Sequence, residues 1–257
     1  MDRVRVDSFR EAERRIYHLV AQSDGLRARQ IASLTGIPRA DVNRELYLSY
    51  LMKDLCYQDG DYRWHALIRQ TRPHGGLYDY SGWYGTVSEF RALDESAFLS
   101  ELQDGCRRIG RSLNDQRGLI HSFTDCRRTM ITLFDDLDGM LGAPFGGWEL
   151  VFELRIRRGK WIRIYSDVLL ITESRVFSLE FKMKDTVLPE EILQSAKYSP
   201  YQEIIFGPEY DILPVLVLTG AKELFSEAPI PGRDGFVPVC SGDMLFNALN
   251  YYLGFLR

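Results

Sequence analysis

The feature that most constrains this chain is a pair of short apolar runs joined by a polar turn, with carboxylates set inside them. Ser166–Ile171 reads Ser-Asp-Val-Leu-Leu-Ile and Phe177–Lys182 reads Phe-Ser-Leu-Glu-Phe-Lys, with the turn over Thr172 to Arg175. Val, Ile, Leu and Phe dominate both runs, which are too short for ordinary helices and read as strands. Residues two apart on a strand share a face, so Glu180 and Lys182 point one way. Phe177, Leu179, Phe181 and Met183 then point the other way, into a core. A turn centred between Glu173 and Ser174 puts Asp167 opposite Glu180. Directly opposed side chains sit about 5 Å apart at Cβ. Two carboxylates at that separation repel unless a cation lies between them, and a hard divalent ion with oxygen ligands is the natural occupant. A solvated strand face also carries Glu and Lys. Here, however, the flanking residues are apolar enough for a covered sheet, where a charge is costly unless paired or metal-bound.

The next element adds to the set. Pro189-Glu190-Glu191 has the marks of a helix start, with Pro in the first turn and acids near the positive end of the dipole. Gln194 and Tyr198, four apart, share one face of that helix, with Leu193 and Ala196 supplying apolar surface nearby. Pro200 predicts a kink or stop just beyond.

Taken together, Asp167, Glu180-Phe181-Lys182 and Gln194 with Tyr198 make the chain from about Glu89 to Arg257 resemble the PD-(D/E)XK nuclease superfamily, in its RecB-like branch. The resemblance implies a restriction-endonuclease-like mixed sheet flanked by helices, α/β in class. It implies Mg²⁺ (or Mn²⁺) held by Asp167 and Glu180, and Lys182 positioning or activating the attacking water. Gln194 and Tyr198 would support the site and the nucleic acid. The family has a further acid upstream. Glu153, in Val151-Phe152-Glu153-Leu154, is the first candidate as a metal ligand, with Glu149 and then Asp125 as rivals.

Composition limits the alternatives. The chain has 257 residues, 45% hydrophobic and 26% charged, as expected of one sizeable globular domain or two small ones. No apolar stretch approaches the roughly 20 residues that span a bilayer. Met1 to Arg10 is charged throughout, which predicts no secretory signal. Cys56, Cys106, Cys126 and Cys240 are scattered without a C-x-x-C pair, so structural zinc or a disulfide framework is not expected and a reducing cytoplasm fits. Neither a P-loop nor a G-x-G-x-x-G phosphate cradle occurs. The formal net charge of −4 speaks against a generally basic coat. Residues 1–70, however, hold twelve Arg or Lys against ten Asp or Glu, and active-site acids are offset by a bound metal. Nucleic acid would therefore be gripped locally.

The front of the chain reads as three helices and a hairpin. Phe9–Ala21, Leu26–Leu34 and a segment from Pro38 to about Lys53 carry helical spacing, with Ile31, Leu34, Val42, Leu46 and Tyr50 expected inward. Gly36 is the expected stop of the second helix. Asp59-Gly60 between aromatic residues signals a hairpin. This order predicts a winged helix-turn-helix. Asp41–Tyr47, followed by Tyr62-Arg63-Trp64, is similar to the Zα winged-helix family. That similarity implies nucleic-acid contacts by Asn43, Tyr47 and Trp64, and Arg39 and Arg44 lie on the same helix. A protein partner or a second copy of the chain is the other occupant such a domain takes.

The expected domains are a winged helix over 1–69, a partly ordered linker over 70–88 with packed aromatic residues, and a nuclease-like domain over 89–257. Helices are expected over Val87–Cys106 and Gly118–Leu137, a buried parallel strand over Ile212–Leu218 and a further strand over Phe236–Val239. A closing helix over Asp243–Leu256, capped by Ser241, completes the pattern. The expected function is a cytoplasmic Mg²⁺-dependent nuclease acting on DNA, in defence or repair. The alternative is a nucleic-acid-binding or regulatory protein that keeps the fold without catalysis.

Overall fold

Arg3–Ala21 forms the first helix, α1, and its positions Ile16, Tyr17 and Val20 are fully buried. It is followed by α2 (Ala28–Thr35), α3 (Arg39–Leu48) and α4 (Tyr50–Leu55). Two short antiparallel strands then pair, β1 (Cys56–Gln58) and β2 (Trp64–Ala66), with Gln58 opposite Trp64. Gly36 stops α2 in the left-handed conformation, at φ 71°, which glycine adopts without a Cβ clash. The hairpin loop is wider than a two-residue turn. Asp59 organises it by accepting the N–H groups of Asp61 and Arg63.

The computed structural model describes residues 3–68, 75–111, 116–141, 145–156 and 164–253. Linker residues 69–74 with Pro73, and the end of the expected last helix at 254–256, lie outside these. The chain divides into two compact units. One comprises Met1–Tyr80, Arg155–Tyr165 and Pro200–Asp211; the other comprises Ser81–Leu154, Ser166–Ser199 and Ile212–Arg257. The boundary expected from sequence is therefore too simple, because two later segments return to the first unit.

Two inward positions expected in the first unit are corrected. Leu34 and Tyr50 are 65% and 63% exposed. In α2 the buried Thr35, four residues after Ile31, takes the inward place instead. The expected third helix breaks at Ser49, whose backbone is extended and whose hydroxyl caps α4 by accepting the Met52 N–H. The i, i+4 spacing from Leu46 to Tyr50 therefore does not carry across.

The second unit holds most of a seven-stranded mixed sheet flanked by helices, so the chain is α/β. Its elements are β3 (Trp83–Thr86), α5 (Val87–Ala92), α6 (Glu95–Arg108), α7 (Gln116–Leu141), β4 (Glu149–Arg155), β5 (Tyr165–Ile171), β6 (Arg175–Lys182) and α8 (Pro189–Lys197). After α9 (Ser199–Phe206) come β7 (Asp211–Leu218), β8 (Phe225–Pro229), β9 (Phe236–Ser241) and α10 (Leu245–Leu253). The strand order is β3-β4-β5-β6-β7-β9-β8, with β7 and β9 parallel and the β3–β4, β5–β6 and β8–β9 pairs antiparallel. One core packs Phe90, Phe98, Phe134, Phe152, Phe177 and Leu179 together. A smaller one joins Ile192 of α8 to Leu216, Leu218, Val237 and Val239.

Several expectations change here. The segment read as linker contributes β3, where Trp83 pairs with Phe152 and stacks edge-on against Phe90 and Phe98. The helix expected over Val87–Cys106 is two helices, because Asp94 starts α6 by accepting the Ala97 N–H. Ser241 does not cap the last helix. Its hydroxyl accepts the Leu224 N–H instead, and a 3₁₀ turn over Gly242–Met244 precedes α10. Met183 lies past the end of β6 and is 53% exposed rather than inward. Ile192 of α8 buries against the sheet, and Ala196 packs beside it, while Leu193, expected to supply apolar surface near the site, is exposed. The stop before Pro200 is present, since α8 ends at Lys197 and a new helix starts at Ser199.

Candidate active site

The β5–β6 hairpin pairs Val168 with Leu179 and Ile171 with Val176. One step further, the same register sets Asp167 opposite Glu180. There the ladder gives way to a side chain, as the Phe181 N–H donates to Asp167 Oδ2 at 3.0 Å. Phe181 and Leu179 fill the core, so the alternation of the strand turns Glu180 to the opposite face. The start of α8 is held by Pro189 in its first turn and by the Glu191 carboxylate, which accepts the Leu188 N–H. That helix delivers Gln194 and Tyr198 to Glu180. Gln194 Nε2 donates to Glu180 Oε1 and to the Tyr198 hydroxyl, while Lys182 Nζ donates to Glu180 Oε1 at 2.9 Å. Asp167, Glu180, Lys182, Gln194 and Tyr198 thus lie together, all in one unit.

The electrostatics follow from burial. Glu180 is 2% exposed, and its Oε2 is a buried oxygen with no hydrogen-bond partner among the described residues. Burial first, then the Asp167 charge, push its carboxyl up to about 8, against the pull of Lys182. Burial also raises Asp167, while the Phe181 N–H, Lys182 and Arg111 restrain it. Burial works against the Lys182 ammonium, but the charges of Glu180 and Asp167 outweigh it, and Lys182 is held protonated. Burial, then the Glu180 charge, raise the Tyr198 hydroxyl.

Glu153 sits beside this group on β4, 2% exposed, with its backbone at φ 57°. A positive φ is unusual for a non-glycine residue inside a strand, and such strain concentrates at functional sites. Its partner is a residue that sequence reading missed: Arg111 Nε lies 2.7 Å from Glu153 Oε2. Burial lifts Glu153 well above the usual carboxylate range while Arg111 pulls it down. Glu149, the rival acid, is engaged elsewhere, accepting the Tyr84 hydroxyl at 2.8 Å. Asp125 instead lines a cavity of about 510 Å³ with Arg128, Thr129, Thr219 and Lys222. None of the site acids lines that cavity. Thr219 is nonetheless tied to the site strand, since its N–H donates to the Lys182 carbonyl at 2.9 Å.

Among the described residues, no three His, Cys, Asp or Glu side chains are grouped closely enough to hold a metal ion. Each acid is already engaged, Glu180 with Lys182 and Gln194, Asp167 with a backbone N–H, and Glu153 with Arg111. The unpartnered Glu180 Oε2 is the point where the residues fit a hard cation. Two opposed carboxylates with water completing the shell is the donor set Mg²⁺ accepts.

In the first unit, Arg39, Asn43 and Tyr47 of α3 line a second cavity of about 470 Å³ with Arg27, Arg29, Gln58 and Tyr62. Among the described residues the three arginines have no ion-pair partner. Two expected contacts are corrected. Trp64 is 5% exposed, packed edge-on against Tyr47 at 5.0 Å, and so cannot present its ring to a base. Arg44 is tied to Asp41 and Glu45 at 2.7 and 3.0 Å, so its charge is already balanced. No helix among the described residues is long and apolar enough to cross a membrane.

Comparison with protein-family models and with curated proteins returns no match for this chain.

Proposed function

We propose that this protein is a divalent-metal-dependent nuclease of the PD-(D/E)XK type, acting on DNA, with a winged-helix front unit that grips the nucleic-acid backbone. The observation that carries the reading is Glu180. It is a buried carboxylate opposed by Asp167, with one oxygen bound by Lys182 and Gln194 and the other without a partner among the described residues. A bare Glu180–Lys182 ion pair would not call for a second buried acid opposite it. A bound Mg²⁺ or Mn²⁺ supplies charge to polarise the scissile phosphate. Asp167 and Glu180 would hold it, with Glu153 the buried acid beside them, paired to Arg111. Lys182, kept cationic by its neighbours, orients the attacking water and offsets the negative charge that develops on the phosphate. It does not act as a base in the protonated state held here. Gln194 fixes the Glu180 carboxylate, and Tyr198 fixes Gln194.

The front unit supports the nucleic-acid part. Three arginines without ion-pair partners among the described residues, two amides and two tyrosines around one cavity match a phosphate-bearing strand. Four buried, unpaired thiols suit a cytoplasmic setting, and a role in defence or repair fits such a nuclease. A second reading, a nucleic-acid-binding protein without catalysis, draws on the absence of three grouped metal-ligating side chains among the described residues.

The test is cleavage of plasmid and single-stranded DNA with Mg²⁺ or Mn²⁺ by the parent, Asp167→Ala and Lys182→Ala. Metal-dependent cutting by the parent alone supports the nuclease. Equal cutting by all three refutes the site, and DNA binding without any cutting favours the second reading.

A further inference from the structure

Arg111 reaches the acids by a specific device. The helix α6 ends in a Schellman motif: Gly110 sits at φ 70°, its N–H donates to the Arg107 carbonyl, and the Arg111 N–H donates to the Cys106 carbonyl at 2.9 Å. A close approach sets the helix in place, because a Cβ on Gly105 would collide with the Gly82 carbonyl oxygen. On the other side, Glu153 is held by its strained φ of 57°. Both ends of the ion pair are thus placed by the backbone, and the pair is largely withdrawn from water. The side-chain exposures are 25% for Arg111 and 2% for Glu153.

Charge decides what else fits. Once a bound cation displaces their protons, Glu153, Asp167 and Glu180 would carry three negative charges, against two positive ones on Arg111 and Lys182. One divalent ion leaves a single positive charge, which a phosphodiester neutralises. A second would leave two uncompensated charges with the phosphodiester bound and three without it, in a buried site where charge is costly; loss of Arg111 lowers each figure by one. The acids are also not grouped as a three-ligand set among the described residues. Mg²⁺ is commonly held by one or two carboxylates with water in the remaining positions.

Resting on the nuclease reading, we propose that Arg111 is the built-in counter-cation of Glu153, occupying the place a second divalent ion would take. The site then binds one divalent ion, between Asp167 and Glu180, and Glu153 leaves the ligand set expected from sequence. Arg111 is a positioning residue: it holds Glu153 and sets metal number.

The experiment is titration of Mn²⁺ into the full chain by calorimetry, with electron paramagnetic resonance to detect coupled ions. The parent is expected to bind one Mn²⁺. Arg111→Met, which keeps an apolar stem without charge, is expected to bind two with a spin-coupled spectrum, and Arg111→Lys to return to one. The double variant Arg111→Met/Glu153→Gln removes both charges and keeps the inference testable if Arg111→Met alone fails to fold. It is expected to bind one Mn²⁺ within about tenfold of the parent affinity, the low end of what changes around a metal's ligands cause. Two coupled ions in the parent, one ion in a folded Arg111→Met, or no ion in the double variant overturns the proposal and leaves the nuclease reading standing. No ion in the parent overturns the nuclease reading itself, and the proposal with it.

Discussion

Replacing Glu180 by Gln should make the metal-free protein more stable at alkaline pH while removing its metal site. Burial and the Asp167 charge raise the Glu180 carboxyl from 4.5 to about 8. An acid raised in the folded state contributes stability that is fully present below its unfolded value. That stability is lost as pH rises through the folded one. The window therefore runs from about pH 4.5 to about pH 8. At roughly 1.4 kcal/mol per unit, the ionised carboxylate costs the folded protein on the order of 4 kcal/mol by pH 8. Glutamine removes that cost and can still accept from Lys182 and Gln194. It also weakens the Lys182 contact and buries an amide without a partner, which costs about 1–3 kcal/mol.

The expected net gain at pH 8 is about 1–3 kcal/mol, and each kcal/mol raises Tm by about 2–4 °C in a chain of this size. At pH 5 the parent carboxyl is protonated in the folded state, the gain should be lost, and the amide penalty should leave the variant no more stable than the parent. Thermal unfolding followed by circular dichroism in EDTA, at pH 5, 6.5 and 8, measures this. Adding Mn²⁺ should then raise the Tm of the parent and not of the variant, because only a ligand bound to the folded state stabilises it. A Tm difference that is the same at all three pH values, or a variant less stable than the parent at pH 8, refutes the reasoning.

Two further outcomes are expected. Changing Arg27, Arg29 and Arg39 together to Gln should flatten the salt dependence of DNA binding by about 0.9 in slope for each phosphate no longer neutralised; fluorescence anisotropy across a salt series checks this, and an unchanged slope would assign the front unit to a protein partner. Gly105→Ala, which drives a Cβ into the Gly82 carbonyl, should destabilise the chain by about 1–3 kcal/mol in urea denaturation.

The parts of this site that were legible in the sequence are those that local pairing determines. Glu180 and Lys182 share a face because a strand alternates, and the centre of the turn alone places Asp167 opposite Glu180. Asp167 and Glu180 lie close along the chain, and every intervening constraint is local. Gln194 and Tyr198 needed only the helical repeat. Arg111 was not legible, because its role depends on where α6 stops and on how closely that helix approaches Gly82. The Gly110 that ends the helix is visible in the sequence; the strand beside which it ends is not. The missed strands failed for a different reason. Ser226, Glu227 and Pro229 of β8 lie exposed at the edge of the sheet, where solvent on the open side removes the need for an apolar pattern. In β3, Gly85 and a length of four residues hide a strand whose stability comes from Trp83 among distant aromatic rings. Trp64 is the converse case. A hairpin position offers the same aromatic residue to solvent or to the core, and Tyr47, from the preceding α3, covers the indole. The acids of a site can thus be read along a hairpin, while the cations that balance them come from elements whose approach only tertiary packing determines.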